Sequence, residues 1–140
     1  MNCWIFKCNP DRYRLDERLS DPESLTTWLV SRYRERIAAG DLAFIWQTGG
    51  ERGIRATIRI DSSPEDMPEL DNEQKYQVSP DRRIACRVRA AFIRRDLNFS
   101  AATLMTIPGL ENLSVFHGFQ QTTNFEVTTD EATILLKMIE

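Results

Sequence analysis

The chain has a single histidine and only three cysteines among its 140 residues, and neither residue type is arranged for chemistry. His117 stands in Phe116-His117-Gly118 with no serine or cysteine placed to make a nucleophile pair. Cys3, Cys8 and Cys86 form an odd set with no Cys-x-x-Cys spacing. They read as small buried hydrophobes in a reducing compartment, not as disulfides or zinc ligands. A phosphate-cradling loop is missing too. Gly49-Gly50-Glu51-Arg52-Gly53 runs into a strand pattern, so no helix follows to offer its amides. Taken together, these absences argue against an enzyme and leave no cofactor or metal to expect. No apolar run reaches the length that spans a bilayer, and the Met1-Asn2-Cys3 start lacks a basic, then apolar, leader. The expected setting is cytoplasmic, with no membrane partner.

Lysine is scarce as well. Three lysines stand against fifteen arginines, and the formal net charge is −3. A net negative charge argues against strong non-specific attraction to phosphate. The charge is unevenly spread, however. Asp61, Glu65, Asp66, Glu69, Asp71 and Glu73 crowd one segment that holds no basic residue, and outside it 15 acids face 18 bases. Arginine's planar fork suits phosphates and ring stacking; a base bias in the coding sequence would give the same enrichment.

The ordinary hydrophobic content of 41% is consistent with one domain over residues 1–140 with its own core. Leu42-Ala43-Phe44-Ile45-Trp46 is apolar on both faces and bounded by turn residues, which predicts a central buried strand. Gly53 opens a second strand in which Ile54, Ala56, Ile58 and Ile60 alternate with polar residues, pairing back on the first through the glycine-rich loop. Trp4 to Cys8 reads as a strand ended by Asn9-Pro10. Ser20-Asp21-Pro22 resembles a helix start, with Leu25, Trp28, Leu29, Tyr33 and Ile37 on one helical face. Residues 61–80 read as an acidic, mobile loop. The alternation from Ile84 to Phe92 predicts the longest strand, with Arg87 and Arg89 on its outward row. Ser100 to Thr106 reads as a short helical turn, Leu113 to Phe116 as a short strand, and Gln120 to Val127 as a polar turn. Thr128-Thr129-Asp130-Glu131 is a capping box that starts a closing helix with Ala132, Leu135, Leu136 and Ile139 on its packed face. The fold class expected is α+β: a mixed, mostly antiparallel sheet curled toward a barrel, with flanking helices and a C-terminal helix.

Several stretches in this order resemble the EVE domain: Trp4-x-Phe6 with Asn9-Pro10-x-x-Tyr13; Trp28-x-Val30-x-Arg32-Tyr33; Gly40-Asp41-x-x-Phe44-Ile45-Trp46-Gln47-Thr48-Gly49; Gly53-Ile54-x-Ala56; and Gln121-x-Thr123-Asn124-Phe125-x-Val127-Thr128-x-x-Glu131. The resemblance runs from about residue 2 to 139, with Thr122 standing where the family pattern has glycine. It implies a PUA-like curled β-barrel related to the YTH readers of methylated adenosine. It also implies a non-catalytic module with an aromatic pocket for a modified base in DNA or RNA. By the same resemblance that pocket would be built from Trp28, Arg32, Trp46, Gln47, Thr48, Thr123, Asn124 and Phe125, with Trp4, Asn9 and Tyr33 close by.

The residue types suit the task. A splayed base needs flat faces, and stacking on an aromatic is worth roughly 1–3 kcal/mol per base. Gln47, Thr48 and Asn124 would meet its hydrogen-bonding edge, Arg32 an adjoining phosphate, and Arg87 and Arg89 the backbone. Each residue also has a plainer role. Trp46 is either a stacking plate or a core lid, Trp4 and Trp28 also fit as core, Asn124 also fits as a turn-former, and Phe125 as a staple for the last helix. The expected nucleic acid is single-stranded or base-flipped, and restriction or RNA-modification proteins are the expected partners. The alternative is a protein-interaction module or a site for a small aromatic ligand such as a free nucleoside.

Overall fold

Leu42–Gln47 is buried at every position, as a run apolar on both faces requires. It sits within the sheet, as the sequence predicts. The computed structural model describes residues 1–118 and 122–140. Its elements are β1 (Cys3–Cys8), α1 (Leu15–Ser20), β2 (Leu25–Leu29), β3 (Leu42–Gln47), β4 (Gly53–Ile60), β5 (Glu65–Met67), α2 (Asp71–Gln74), β6 (Ala85–Arg94), β7 (Phe99–Ser100), α3 (Ala101–Met105), a 3-10 turn (Ser114–Phe116), β8 (Asn124–Val127) and α4 (Thr129–Met138).

The strands form one curled sheet in the order β2-β6-β4-β3-β1-β8, with β5 added to β6 and β7 to β4. β1 runs parallel to β3, and the other strand pairs are antiparallel. This is the α+β, PUA-like architecture expected. The sheet separates two cores. Inside the curl lie Trp4, Phe6, Ala43, Ile45, Ala56, Ile58, Ile60, Val88 and Phe92. On the other face, α3, the 3-10 turn and α4 cover Ile5, Phe44, Trp46, Ile54, Phe125 and Val127. Strand alternation therefore sends neighbouring residues of β1 and β3 into different cores.

Two glycines have positions that demand them. Gly40 turns the chain into β3 at φ +93°, a conformation that side chains resist. At Gly53 a Cβ would lie 2.2 Å from the Phe99 carbonyl oxygen, so only glycine lets β7 approach β4. β4 also carries a bulge. Ile45 faces Ala56 but Trp46 faces Ile54, which leaves Arg55 as the extra residue. The closing helix starts as expected, with Thr128 accepting from the Glu131 amide and Glu131 accepting from the Thr128 amide.

Four expectations are corrected. Leu25–Leu29 is a strand, not part of a helix. The Thr26-Thr27 pair and the inward alternation of Thr26, Trp28 and Val30 overrode the helix-start signals. Residues 61–80 are not a structureless loop. β5 pairs with β6 at Glu65–Met67, Met67, Glu73 and Tyr76 are buried, and Tyr13 bridges to Gln77. The segment crosses the outside of the sheet as a strap. Residues 114–116 form a 3-10 turn rather than a strand. Asn124–Val127 is a strand paired with β1, not a turn; Gln120 and Gln121 lie outside the described residues.

Candidate nucleic-acid interface

Among the described residues the sheet does not close by backbone pairing. β2 and β8 are its two free edges, and the amide of Asn124 spans them. Asn124 is fully buried. Its Nδ2 donates to the Leu29 carbonyl at 3.2 Å, and its Oδ1 accepts from the amides of Ser31 at 2.7 Å and Arg32 at 3.3 Å. Ser31 Oγ and Thr123 Oγ1, 2.7 Å apart, continue the link. The Lys7 amide donates to the Thr123 carbonyl at 2.8 Å. Asn124 is thus a clasp between sheet edges. It neither bonds only its own turn nor has its carbonyl to spare for a base.

Further along the β2 edge, α1 and the strap seal the seam with a buried ion pair. Arg18 is wholly buried, and its Nε donates to Glu73 Oε1 at 3.0 Å. Its two other nitrogens donate to the carbonyls of Glu23 at 2.8 Å and Leu25 at 3.0 Å. Its guanidinium carbon lies 4.8 Å from the centre of the Phe92 ring. Glu73 Oε2 accepts from the Tyr13 hydroxyl at 2.5 Å. Burial, then the Glu73 carboxylate, raises the Tyr13 pKa far above the usual phenol range, so Tyr13 stays a donor. The Tyr13 ring lies 5.7 Å from Trp28 and 6.3 Å from Tyr76, and Phe92 meets Trp28 edge-on at 6.4 Å. Sequence reasoning placed Tyr13 in a motif but not in the site, and missed Arg18, Glu73 and Tyr76. Arg18 and Glu73 are 55 positions apart and carry no local signal of pairing.

The three tryptophans part company here. Trp28 is half-buried, and its buried Nε1 has no hydrogen-bond partner among the described residues. Thr26, two residues back on the same inward face of β2, has an equally unpartnered Oγ1. Trp4 is 1% exposed and donates from Nε1 to Asp41 Oδ2 at 2.9 Å, so it belongs to the inner core. Trp46 is 3% exposed, meets Phe116 edge-on at 5.7 Å, and packs in the helix-covered core. Trp46 therefore lies on the opposite side of the sheet from Trp28, and the two indoles cannot wall one pocket. The expectation of Trp46 as an exposed stacking plate is corrected to a core lid. Phe125, 4% exposed, shares that outer core and is corrected in the same way.

The remaining expected residues divide between rim and scaffold. Gln47 is buried. Its Oε1 accepts from Arg55 Nη1, while Arg55 Nη2 reaches Asp16 at 2.7 Å, so Gln47 is held by the bulge residue. Thr48 donates its amide to the Cys8 carbonyl at 3.0 Å beside exposed Asn9, whose side chain accepts from the Asp11 amide at 3.0 Å. Arg32 is exposed, makes no ion pair among the described residues, and lies 4.9 Å over the Tyr33 ring. Tyr33 holds φ +62°, a strained setting for a ring residue, and stacks 5.3 Å from Trp4. Thr123 joins Arg32 on the Asn124 clasp. Arg87 is corrected: it is 1% exposed and bonded to Asp81 at 3.3 Å, so it cannot contact a backbone. Arg89 is exposed but faces Glu65 at 3.9 Å, against the acidic strap.

A curled sheet clasped at one seam, with an aromatic cluster inside the clasp, is the class of fold seen here. The EVE domain model matches residues 2–138, and the chain belongs to the EVE domain family. No curated protein matches it. Among solved structures it is similar to a hypothetical protein from Leishmania major, 18% identical, with a TM-score of 0.71 and coverage of 99% of this chain and 94% of that one. A Rhodopseudomonas palustris protein is 16% identical with a TM-score of 0.69, covering 99% and 92%. Human THYN1, solved in complex with 5-methylcytosine-containing DNA, is 20% identical with a TM-score of 0.65, covering 100% and 98%. At these identities the likeness establishes the fold.

Proposed function

We propose that this EVE domain is a non-catalytic module that binds nucleic acid carrying a modified base, taking the base at the seam beside Trp28. The observation that carries the reading is the state of that indole. A buried indole N–H ordinarily finds an acceptor, and an orphan calls for an explanation. Trp28 carries a buried, uncommitted donor within an aromatic cluster, on the same face of β2 as Thr26 with its own uncommitted oxygen. A pyrimidine base offers either an edge acceptor for the in-plane indole N–H or a flat face for the indole ring. The 5-methylcytosine-containing DNA bound by THYN1 supports a base of that kind.

Arg32 and Thr123 on the rim supply the phosphate and sugar contacts that set register without reading sequence. Duplex DNA must first surrender the base, at a cost of a few kcal/mol. A protein of net charge −3 recovers little of that from phosphates. The substrate is therefore single-stranded or opened by a partner enzyme that modifies or restricts nucleic acid. One buried methyl contributes only about 0.8 kcal/mol, or roughly fourfold, so the methyl group alone gives modest discrimination.

Fluorescence anisotropy with short labelled single strands, methylated and unmethylated, tests the reading. The wild type should bind both, the methylated strand about fourfold more tightly. Trp28→Leu should lose about tenfold or more in affinity through lost stacking while keeping its melting transition. Unchanged affinity in a folded Trp28→Leu protein would contradict the site.

A further inference from the structure

On the outward face of β2 the side chains alternate with those of the seam. Leu25, Thr27 and Leu29 point away from the curl, and the two leucines are 54% and 41% exposed. β2 pairs with β6 so that Thr27 stands opposite Arg89, and the strap passes over this pair, its Leu70 amide 3.5 Å from Thr27 Oγ1. Beneath the strap lies a cleft of about 250 Å³, whose lining joins Thr27 and Arg89 of the sheet to residues 67–71 of the strap, among them the acids Glu69 and Asp71. It is smaller than the roughly 300–1,000 Å³ of sites that enclose drug-sized ligands. One aliphatic side chain suits it better than a nucleoside.

Its surroundings carry an excess of acid, with Glu65, Asp66, Glu69 and Asp71 set against Arg34 and Arg89. Glu65, Asp66 and Asp71 are exposed, and no base occurs between residues 61 and 74. Their neutralisation within the molecule is loose. Arg89 is 3.9 Å from Glu65 and Arg34 3.7 Å from Asp66, while Asp71 has no partner among the described residues. A face of this sign repels phosphates, so the nucleic acid does not use it. A cleft with an apolar wall of Met67, Pro68 and Leu70 and with carboxylates around it matches the pattern of a peptide-docking surface: an apolar anchor gives affinity, and the charges give specificity and rate.

We infer that the cleft under the strap docks a basic segment of a partner protein, with one aliphatic anchor seated against Met67, Pro68 and Leu70 and flanking arginines or lysines on Glu65, Asp66 and Asp71. This surface lies on the opposite face of β2 from the Trp28 seam. The domain thus holds a partner protein and a nucleic acid at the same time, without one displacing the other.

The test is a two-dimensional amide NMR titration of the full chain with three nine-residue peptides. One is Arg/Lys-rich with a central leucine, one is the same with serine for leucine, and one is acidic with the leucine kept. The inference expects the first to shift the amides of Thr27, Met67, Leu70 and Arg89 and to weaken as salt rises. The second and third should bind about tenfold less tightly or not at all, since each lacks the anchor or the charge. Asp66→Lys with Asp71→Lys, both exposed and outside the core, should abolish the response while leaving single-strand binding intact or stronger. Shifts centred elsewhere, equal response to all three peptides, or the same amides shifting on concentration of the protein alone would each overturn it. The last of these would assign the face to a second copy of the chain. Loss of nucleic-acid binding in Trp28→Leu with the peptide response retained separates this inference from the base-binding reading.

Discussion

Trp46 and Trp28 illustrate how one residue type serves two ends within a single fold. Trp46 ends β3 beside a polar loop, which in sequence looks like a residue on display. Its parity along the strand sends it beneath the 3-10 turn instead. Trp46→Ala should therefore lower stability by about 3–5 kcal/mol, as for a buried aromatic truncated in place, with a large loss in urea midpoint. Trp28→Leu, in a half-buried position, should leave that midpoint near wild type. Asn124 is the other decisive residue. Removing its amide leaves the Ser31 and Arg32 N–H groups and the Leu29 carbonyl without partners. Asn124→Ala should cost about 1–3 kcal/mol or more, and hydrogen exchange should accelerate first at the exposed edges of β2 and β8.

Among the elements, the strap departs furthest from expectation. Composition alone marks residues 61–80 as acidic and uninterrupted by an apolar period, the signature of a solvated loop. Its order comes from contacts that no local pattern encodes: Glu73 to Arg18 and Tyr13, Tyr76 to Asp21, and Met67 paired with Ala85 of β6. Breaking that buried pair on one side should be severe. Glu73→Gln leaves Arg18 charged without a counter-ion, at a cost of about 3–5 kcal/mol, whereas replacing both with apolar residues should recover much of the loss. Thermal melts of the two variants check this. The strap's far end has a pH signature. Asp81 is only 19% exposed and is held well below the usual carboxylate range, first by its hydrogen bond from Arg83. Its contribution is present above the ordinary aspartate value of about 3.9 and fades as pH falls through the lower folded value. Asp81→Asn should flatten the acid limb of a stability–pH curve. β2 shows the same limit of local reading. A serine, aspartate and proline before Leu25 resemble a helix start, yet the Thr-Thr step and the need to cover β6 made a strand. The regular features, β1, β3, β4, β6 and the capping box of α4, were legible because hydrophobic period alone decides them.

At the scale of the molecule, the sequence carried the family and the curled sheet but assigned the pocket to both sides of it. The curl places residues 28, 32, 123 and 124 around one seam, whereas 46 and 125 belong to the core beneath the helices. Only pairing registers, set by contacts far apart in the chain, distinguish these. The whole fold also protects its thiols. Burial pushes the Cys8 pKa up to about 12, and the Cys3 thiol is raised for the same reason. Both should resist iodoacetamide in the native state and react at a rate that tracks global unfolding in urea. The balance of charge predicts weak affinity for unmodified duplex, which should fall further as salt rises from about 0.05 to 0.2 M.

The base-binding account is tested most directly by the indole region of a nitrogen–proton NMR spectrum, where Trp4, Trp28 and Trp46 each give one Nε1–H signal. Titration with a single strand containing 5-methylcytosine should move the Trp28 signal, whose donor has no partner among the described residues, and leave Trp4 and Trp46 in place. A shift confined to Trp46, or no shift of Trp28 when the strand is bound, would contradict it.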